Sequence, residues 1–87
     1  MLVDGAGRDA HLGRCLRGLG LTARQAETLR LLALGHSPAQ TATEMGIAPR
    51  TVDKHLQNVY SQLGARSLLQ ATATAWAAVG VERPAAG

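Results

Sequence analysis

The sequence predicts a small all-α domain built from four helices, and three observations support this prediction. Apolar residues recur at spacings of three and four over much of the chain, which gathers them on one side of a helix. Residues typical of strands are sparse, with one Trp, one Tyr and no Phe, and no alternating apolar and polar run is present. Capping, proline and glycine signals divide the chain into helix-sized segments.

Length and glycine content indicate three parts. Eighty-seven residues with 46% hydrophobic content are enough for one small domain, expected over residues 21–80. Residues 1–20 hold five of the ten glycines, which predicts a flexible glycine-rich arm or linker, and residues 81–87 are expected to be a disordered tail. Three leucines of the arm have the spacing of a short amphipathic helix, but the glycines oppose it. The arginines beside them are expected to lie in a solvated tail, with contact to DNA phosphates as the alternative. These residues are Leu12, Leu16 and Leu19, and Arg8, Arg14 and Arg17.

The first two helices are predicted by capping boxes, in which a hydroxyl side chain and a glutamine three residues later bond to each other's backbone N–H. The boxes pair Thr22 with Gln25 and Ser37 with Gln40. They predict helices over 23–34 and 38–45, each followed by a glycine that allows the chain to leave the helix.

The third helix is predicted over 49–63, because Pro49 fits a first turn and Gly64 follows the last apolar position. One side of this helix carries a stripe for the core, formed by Val52, Leu56, Val59 and Leu63. The opposite side is polar, with Arg50, Lys54, Gln57 and Ser61 flanked by Asp53 and Asn58. Two helices joined by a tight turn, the second with a polar outer face, are typical of a helix-turn-helix, whose second helix lies in the DNA major groove.

The fourth helix is predicted over 68–79, where Ser67 with Gln70 makes a third capping box and Gly80 follows the last turn, and it is apolar on more than one side. One side can cover the core of the other helices, and the remainder would be exposed on a monomer, which favours a second protomer. The residues expected in this contact are Leu68, Leu69, Thr72, Ala75, Trp76 and Val79. An alanine-rich helix that is simply a good helix former stays as the alternative.

Charge and special residues exclude several other classes of protein. The formal net charge of +3 is a mild basic bias, weaker than that of a purely electrostatic nucleic-acid binder. A lone Cys15 excludes an internal disulfide, and with His11 it could supply only half a metal site, so no metal or other cofactor is expected. The longest apolar stretch is too short to span a bilayer and no signal peptide is present, so a cytoplasmic location is expected. No histidine is paired as a catalytic base would be, so no enzyme is expected and no catalytic residue is assigned.

The chain resembles a known family over Leu19–Val79, most of its length. The block GIAPRTVDKHLQNVYSQLGARS is the most specific part of the resemblance. Further matching positions are Leu21-Thr22, Glu27, Leu29 to Ala33, Gly35, Ser37 and Ala42. Together these residues are similar to the LuxR-type (GerE-like) helix-turn-helix DNA-binding domain, the effector module of quorum-sensing regulators and of FixJ/NarL-like response regulators.

The resemblance implies a four-helix fold in which helices two and three contact DNA and helix four is the dimer contact. Asp53, Lys54 and Gln57 occupy the positions that face base edges, and their side chains suit cytosine, guanine and adenine respectively. The residues expected on the DNA backbone are Thr51, which resembles a phosphate anchor, and Arg50, Asn58 and Ser61. His55 and Tyr60, which border the apolar stripe, are expected to pack within the domain.

The chain departs from the family pattern at four positions. Ala48 gives up a helix cap, Thr41 replaces an apolar core residue, and Gln62 and Leu68 stand where cations are common. The main hypothesis is a sequence-specific DNA-binding transcriptional regulator that acts as a homodimer. The alternative is an interaction module with impaired DNA binding that heterodimerises with another regulator and modulates it.

The partners expected from the resemblance are double-stranded DNA, a second copy of the chain, and RNA polymerase or a full-length regulator, with no membrane partner. Family members normally carry a further regulatory domain, which the first 20 residues are too short to form. The chain is therefore expected to be either the carboxy-terminal part of a larger regulator or a stand-alone effector domain.

Overall fold

A computed structural model describes residues 5–80 of the chain, with side chains over 11–80. This part is all-helical, with helices α1 (Gly5–Arg17), α2 (Ala23–Ala33), α3 (Pro38–Met45), α4 (Pro49–Leu63) and α5 (Leu68–Val79). The all-α prediction is confirmed, and the four predicted helices correspond to α2–α5 with bounds that agree to within one residue.

The helix ends show which sequence signals determine the bounds. Two of the three predicted capping boxes are fully formed, at the starts of α2 and α3. At α5 the box is only half formed, because the Ser67 hydroxyl accepts from the Gln70 N–H while the Gln70 Oε1 accepts from the N–H of Arg66 at 2.7 Å. The Gln70 side chain therefore accepts from Arg66, the residue before the N-cap, and not from the N–H of the N-cap residue Ser67, as the spacing predicts.

Helix α1 corrects the prediction of a flexible arm over residues 1–20. Residues 5–17 are helical, and the side chains of Leu12 and Leu16 are 1% and 0% exposed. Burying a leucine contributes about 1.5–3 kcal/mol, whereas a glycine inside a helix costs about 1 kcal/mol, so two buried leucines offset the glycines of α1. Residues 1–4 and the predicted tail over 81–87 lie outside the described residues.

The core consists of two clusters that meet at α2. The larger cluster joins α1, α2, α4 and α5, and the smaller one joins α2, α3 and α4. Tyr60 packs against both clusters. The buried members are Leu12, Leu16, Leu21, Ala26, Leu29, Val59, Ala71 and Ala75 in the larger cluster, and Leu32, Ala42, Val52 and Leu56 in the smaller.

The packing of α1 also corrects one expectation for α5. Helix α1 has its packing neighbours in α2 and α5, so it covers part of the apolar surface of α5 that was assigned to a second protomer. Ala75 is 0% exposed and belongs to the core of a single chain, not to an outward dimer contact. Leu69 is 63% exposed, and the other four assigned residues are half-buried.

Candidate nucleic-acid interface

The turn between α3 and α4 depends on Gly46, which ends α3, and on Ile47, which packs against the core. Gly46 adopts a left-handed conformation with φ of +69°, which ends α3, and the Ile47 N–H donates to the Ala42 carbonyl at 3.0 Å. Ile47 then packs against the smaller core cluster, and Pro49 starts α4 two residues later. Left-handed geometry is readily adopted by glycine, so this residue allows two helices to be joined by a tight turn.

Helix α4 has a buried side and an exposed polar side. Val52, Leu56 and Val59 are 0%, 6% and 0% exposed. We use the name recognition face for the exposed polar residues Arg50, Asp53, Lys54, Gln57, Asn58 and Ser61. Four of them follow one line along the helix for about 16 Å, because they are spaced by four, three and four residues at 1.5 Å per residue. The structure thus brings together six of the seven sequence-predicted DNA-contacting residues on one surface.

The recognition face carries little net charge. Arg50 and Lys54 are positive and Asp53 is negative, which leaves a formal charge of +1. Burial raises the pKa of the Tyr60 hydroxyl, and the negative charge of Asp53 raises it further. Tyr60 lies at the border of the face, where its hydroxyl can donate a hydrogen bond. His55, also at this border, is half-buried.

The N-terminus of α4 lacks a side-chain cap. Ala48 occupies the N-cap position with extended backbone geometry, and no side chain accepts a bond there. An external acceptor such as a phosphate oxygen can take that role, since the first amides of a helix favour a negative group. Thr51, the seventh predicted DNA-contacting residue, is half-buried in this first turn.

The C-terminal end of α4 is tied to the turn between α1 and α2, a contact that the sequence did not reveal. The Gln62 side-chain amide donates to the Leu19 carbonyl at 3.3 Å. Gly20 lies beside it with φ of +91°, and a Cβ added there would lie 2.5 Å from the Gln62 Nε2. The Gln62 side chain is therefore bonded to the turn after α1, at the position where the family resemblance led to the expectation of a cation for DNA.

His11 and Cys15, the residues expected to supply only half a metal site, lie close together on α1. His11 Nε2 and Cys15 Sγ are 3.7 Å apart, and no group of three or more His, Cys, Asp or Glu residues that could hold a metal is found over the described range. Within the same range, no helix combines the length and the apolar character that crossing a membrane requires.

Comparison with known proteins identifies the region around these helices. Residues 19–75 match the family described as bacterial regulatory proteins, luxR family. The chain is 41% identical over 51 residues to the HTH-type transcriptional activator RamA of Corynebacterium glutamicum, covering 59% of this chain and 18% of RamA. It is 43% identical over 53 residues to the probable transcriptional regulatory protein SgaR of Hyphomicrobium methylovorum, covering 61% of this chain and 25% of SgaR.

A third relative is the probable transcriptional regulatory protein NarL of Mycobacterium tuberculosis, 40% identical over 55 residues, covering 63% of this chain and 26% of NarL. The chain thus spans about a fifth to a quarter of the length of these curated relatives. No solved structure matches the chain significantly. The matched residues, 19–75, include all of α2, α3 and α4 and most of α5, but not α1.

Proposed function

Because the chain belongs to the luxR family of bacterial regulatory proteins, we propose that it is a sequence-specific DNA-binding transcriptional regulator with α4 in the major groove. The membership agrees with the resemblance noted from the sequence and points to a regulatory domain rather than an enzyme. The single observation that carries the proposal is the recognition face, six exposed polar residues on a helix whose other side carries the buried Val52, Leu56 and Val59.

Three residues of the recognition face are proposed to contact bases. Lys54 can donate to guanine O6 and N7, Gln57 can bond to adenine N6 and N7, and Asp53 can accept from cytosine N4. All three side chains are exposed near the middle of α4, where no core contact competes for them. Each such contact discriminates against a wrong base by about 1–3 kcal/mol.

The remaining assigned residues are proposed to contact the DNA backbone. Arg50 and Thr51 lie in the first turn of α4, beside the N-cap that lacks a side-chain bond, where a phosphate is favoured. Asn58 and Ser61 are exposed further along the helix and can donate to phosphate oxygens. These contacts fix the position of α4 on the duplex without selecting a sequence.

A homodimer through α5 is proposed for the same function. Helix α5 contains no charged residue, and Leu69 is 63% exposed on it. Leu68, Thr72, Trp76 and Val79 are half-buried and keep some surface for a partner. Two copies would place their α4 helices on half-sites about 34 Å apart, one turn of DNA.

The proposed setting follows from binding to bacterial chromosomal DNA. The protein acts in the cytoplasm as an effector domain, comparable with the part of NarL to which it is similar. RNA polymerase or a full-length regulator is its proposed protein partner, because a bound regulator changes transcription through such contacts.

A second candidate function is favoured by the low charge of the recognition face and by the use of Gln62 inside the domain. Fewer cations release fewer counterions and weaken DNA binding. In that case the chain modulates a full-length homologue by forming a mixed dimer, which native mass spectrometry of the two proteins together would detect. Absence of any mixed dimer would count against this candidate.

The experiment that tests the main proposal is selection of duplexes from a random pool, followed by binding assays with variants. The double variant Lys54→Ala/Gln57→Ala is expected to lose preference for the selected site by about tenfold or more, because both base contacts disappear while the fold remains. Arg17→Ala is the matched control, since it removes one positive charge from an exposed position outside α4. Unchanged site preference in the double variant would contradict the assigned roles.

A further inference from the structure

A groove between α1 and α2 is lined by three arginines. Its volume is about 350 Å³. We call it the arginine groove, and its lining residues are Gly13, Arg14, Arg17, Ala23, Ala26, Glu27 and Arg30. Arg14 and Arg17 are exposed at the C-terminal end of α1, and Arg30 is half-buried on α2. Neither α1 nor this groove has a place in the DNA-binding proposal.

The arginine groove holds the largest share of positive charge among the described side chains. Seven Lys and Arg residues lie within residues 11–80, and three of them, Arg14, Arg17 and Arg30, line the groove. The one acidic side chain in the lining is Glu27, which pairs at 3.7 Å with Arg24 outside the groove. The lining therefore carries a formal charge of +2, against +1 on the recognition face.

Small residues leave room for the arginine side chains. Gly13 has no Cβ, and one added there would lie 3.7 Å from the Arg30 Cδ, so the arginine stem lies directly against α1. Ala23 and Ala26 line the groove from α2 with a single methyl group each. The groove is thus apolar at its base and carries planar guanidinium groups around it, which bind carboxylates through two parallel hydrogen bonds.

The position of the groove separates it from the recognition face. Arg30 and Leu32 are two residues apart and therefore about 200° apart around α2. Leu32 packs in the cluster with Val52 and Leu56, the buried side of α4. The recognition face lies on the far side of α4 from this cluster, so a duplex bound there does not reach the arginine groove.

We propose that the arginine groove binds an acidic segment of a partner protein, through paired contacts between the exposed guanidinium groups of Arg14 and Arg17 and Asp or Glu carboxylates. Charge complementarity identifies the class of partner, and the location opposite α4 favours a protein over the phosphates of the bound duplex. The proposal goes beyond DNA binding and does not depend on it, because no residue of α4 takes part.

The test uses the 87-residue chain and a fluorescein-labelled 12-residue peptide of alternating Glu and Ala, with an alternating Gln and Ala peptide as the uncharged probe. Fluorescence anisotropy measures the affinity of each peptide. The variant Arg14→Gln/Arg17→Gln is expected to bind the Glu peptide at least about tenfold more weakly than the unchanged chain, because two charge-assisted contacts are lost. All four substituted arginines in the test and control variants are exposed, and circular dichroism checks that each variant folds.

The control variant is Arg50→Gln/Arg66→Gln, which has the same net charge but an intact groove. It is expected to bind the Glu peptide within about twofold of the unchanged chain. Equal weakening by both double variants, or no preference for the Glu peptide over the Gln peptide, would overturn the proposal. A loss of affinity for a selected DNA duplex in Arg14→Gln/Arg17→Gln as large as in the control variant would also overturn it and assign the groove to nucleic acid. If the unchanged chain bound the Glu peptide but no DNA duplex, the proposed function would be contradicted and the arginine groove proposal would stand.

Discussion

The two sides of α2 differ in what they present to a partner. On one side, α3 and α4 offer polar side chains of mixed charge, with a formal charge of +1 on the recognition face. On the other side, α1 and α2 form a concave surface with arginines around an apolar base. Hydrogen-bonding side chains on a rigid helix can select a sequence, whereas clustered cations attract any anionic partner of suitable shape. The two proposals therefore assign sequence selection and electrostatic attraction to opposite surfaces of the domain.

Both sides of α2 pack on buried leucines of the core, and replacing these leucines with alanine is expected to have the largest effect on stability. Leu16→Ala and Leu56→Ala are each expected to lower the free energy of unfolding by about 2–5 kcal/mol, because these leucines are 0% and 6% exposed. Urea denaturation followed by circular dichroism measures both.

The control for these variants is Leu34→Ala, at a position 41% exposed and outside the proposed dimer contact, which is expected to cost less than about 1 kcal/mol. If Leu16→Ala behaved like Leu34→Ala while Leu56→Ala did not, α1 would be a loose arm, and the arginine groove would have no fixed wall.

A smaller difference in the free energy of unfolding is expected between alanine variants of two glycines, Gly20 on the α1 side of α2 and Gly46 on the side of α3 and α4. Gly20 and Gly46 both have positive φ, at +91° and +69°, so replacement by Ala strains the backbone by about 1–2 kcal/mol at each. Gly20→Ala is expected to cost more than Gly46→Ala, because its Cβ would also displace Gln62 from the Leu19 carbonyl. Denaturation curves of both variants measure the difference.

The Gln62→Ala background identifies the cause of that difference. Once the Gln62 amide is absent, Gly20→Ala is expected to cost about the same as Gly46→Ala. If the excess cost of Gly20→Ala persisted in this background, the contact between the end of α4 and the turn after α1 would not explain it.

The smallest expected effect compares two buried threonines. Among the described residues, Thr41 Oγ1 on α3 is buried without a hydrogen-bond partner, whereas Thr28 Oγ1 on α2 donates to the Arg24 carbonyl at 2.9 Å. Thr41→Val is expected to raise the free energy of unfolding by about 1 kcal/mol, because a buried hydroxyl with no partner is costly. Thr28→Val is expected to lower it, because a hydrogen bond is lost. Thermal denaturation would contradict the assignment if Thr41→Val were the less stable of the two.

The helices with strong local signals could be predicted from the sequence. In α4, a proline start, a glycine stop and four apolar residues on one side agree with one another, so its predicted bounds match the structure. In α1, the spacing of Leu12 and Leu16 was visible, but the glycines around them favour the unfolded chain. What decides in favour of α1 is burial against α2 and α5, a long-range contact that local propensity does not contain.

The recognition face and the arginine groove also differ in how far the sequence predicts them. The recognition face could be predicted because its residues lie on one helix, where spacing alone determines which side they share. The arginine groove could not be predicted, because it depends on how α1 packs against α2. Since Arg14 and Arg17 were assigned to a flexible arm, nothing in the sequence indicated that they lie near Arg30. The role of Gln62 was missed for the same reason, because its partner Leu19 is 43 residues away in the chain.

The most direct measurement of the separation between the two surfaces is a titration of the ¹⁵N-labelled chain with a selected duplex, followed by amide chemical shifts. The largest shifts are expected at the amides of residues 50–61 on α4, which include the first turn of that helix. The amides of Arg14, Arg17 and Arg30 are expected to stay within the changes seen for the chain as a whole. Largest shifts at these three arginines, with α4 unaffected, would contradict the account and make the arginine groove the surface that meets DNA.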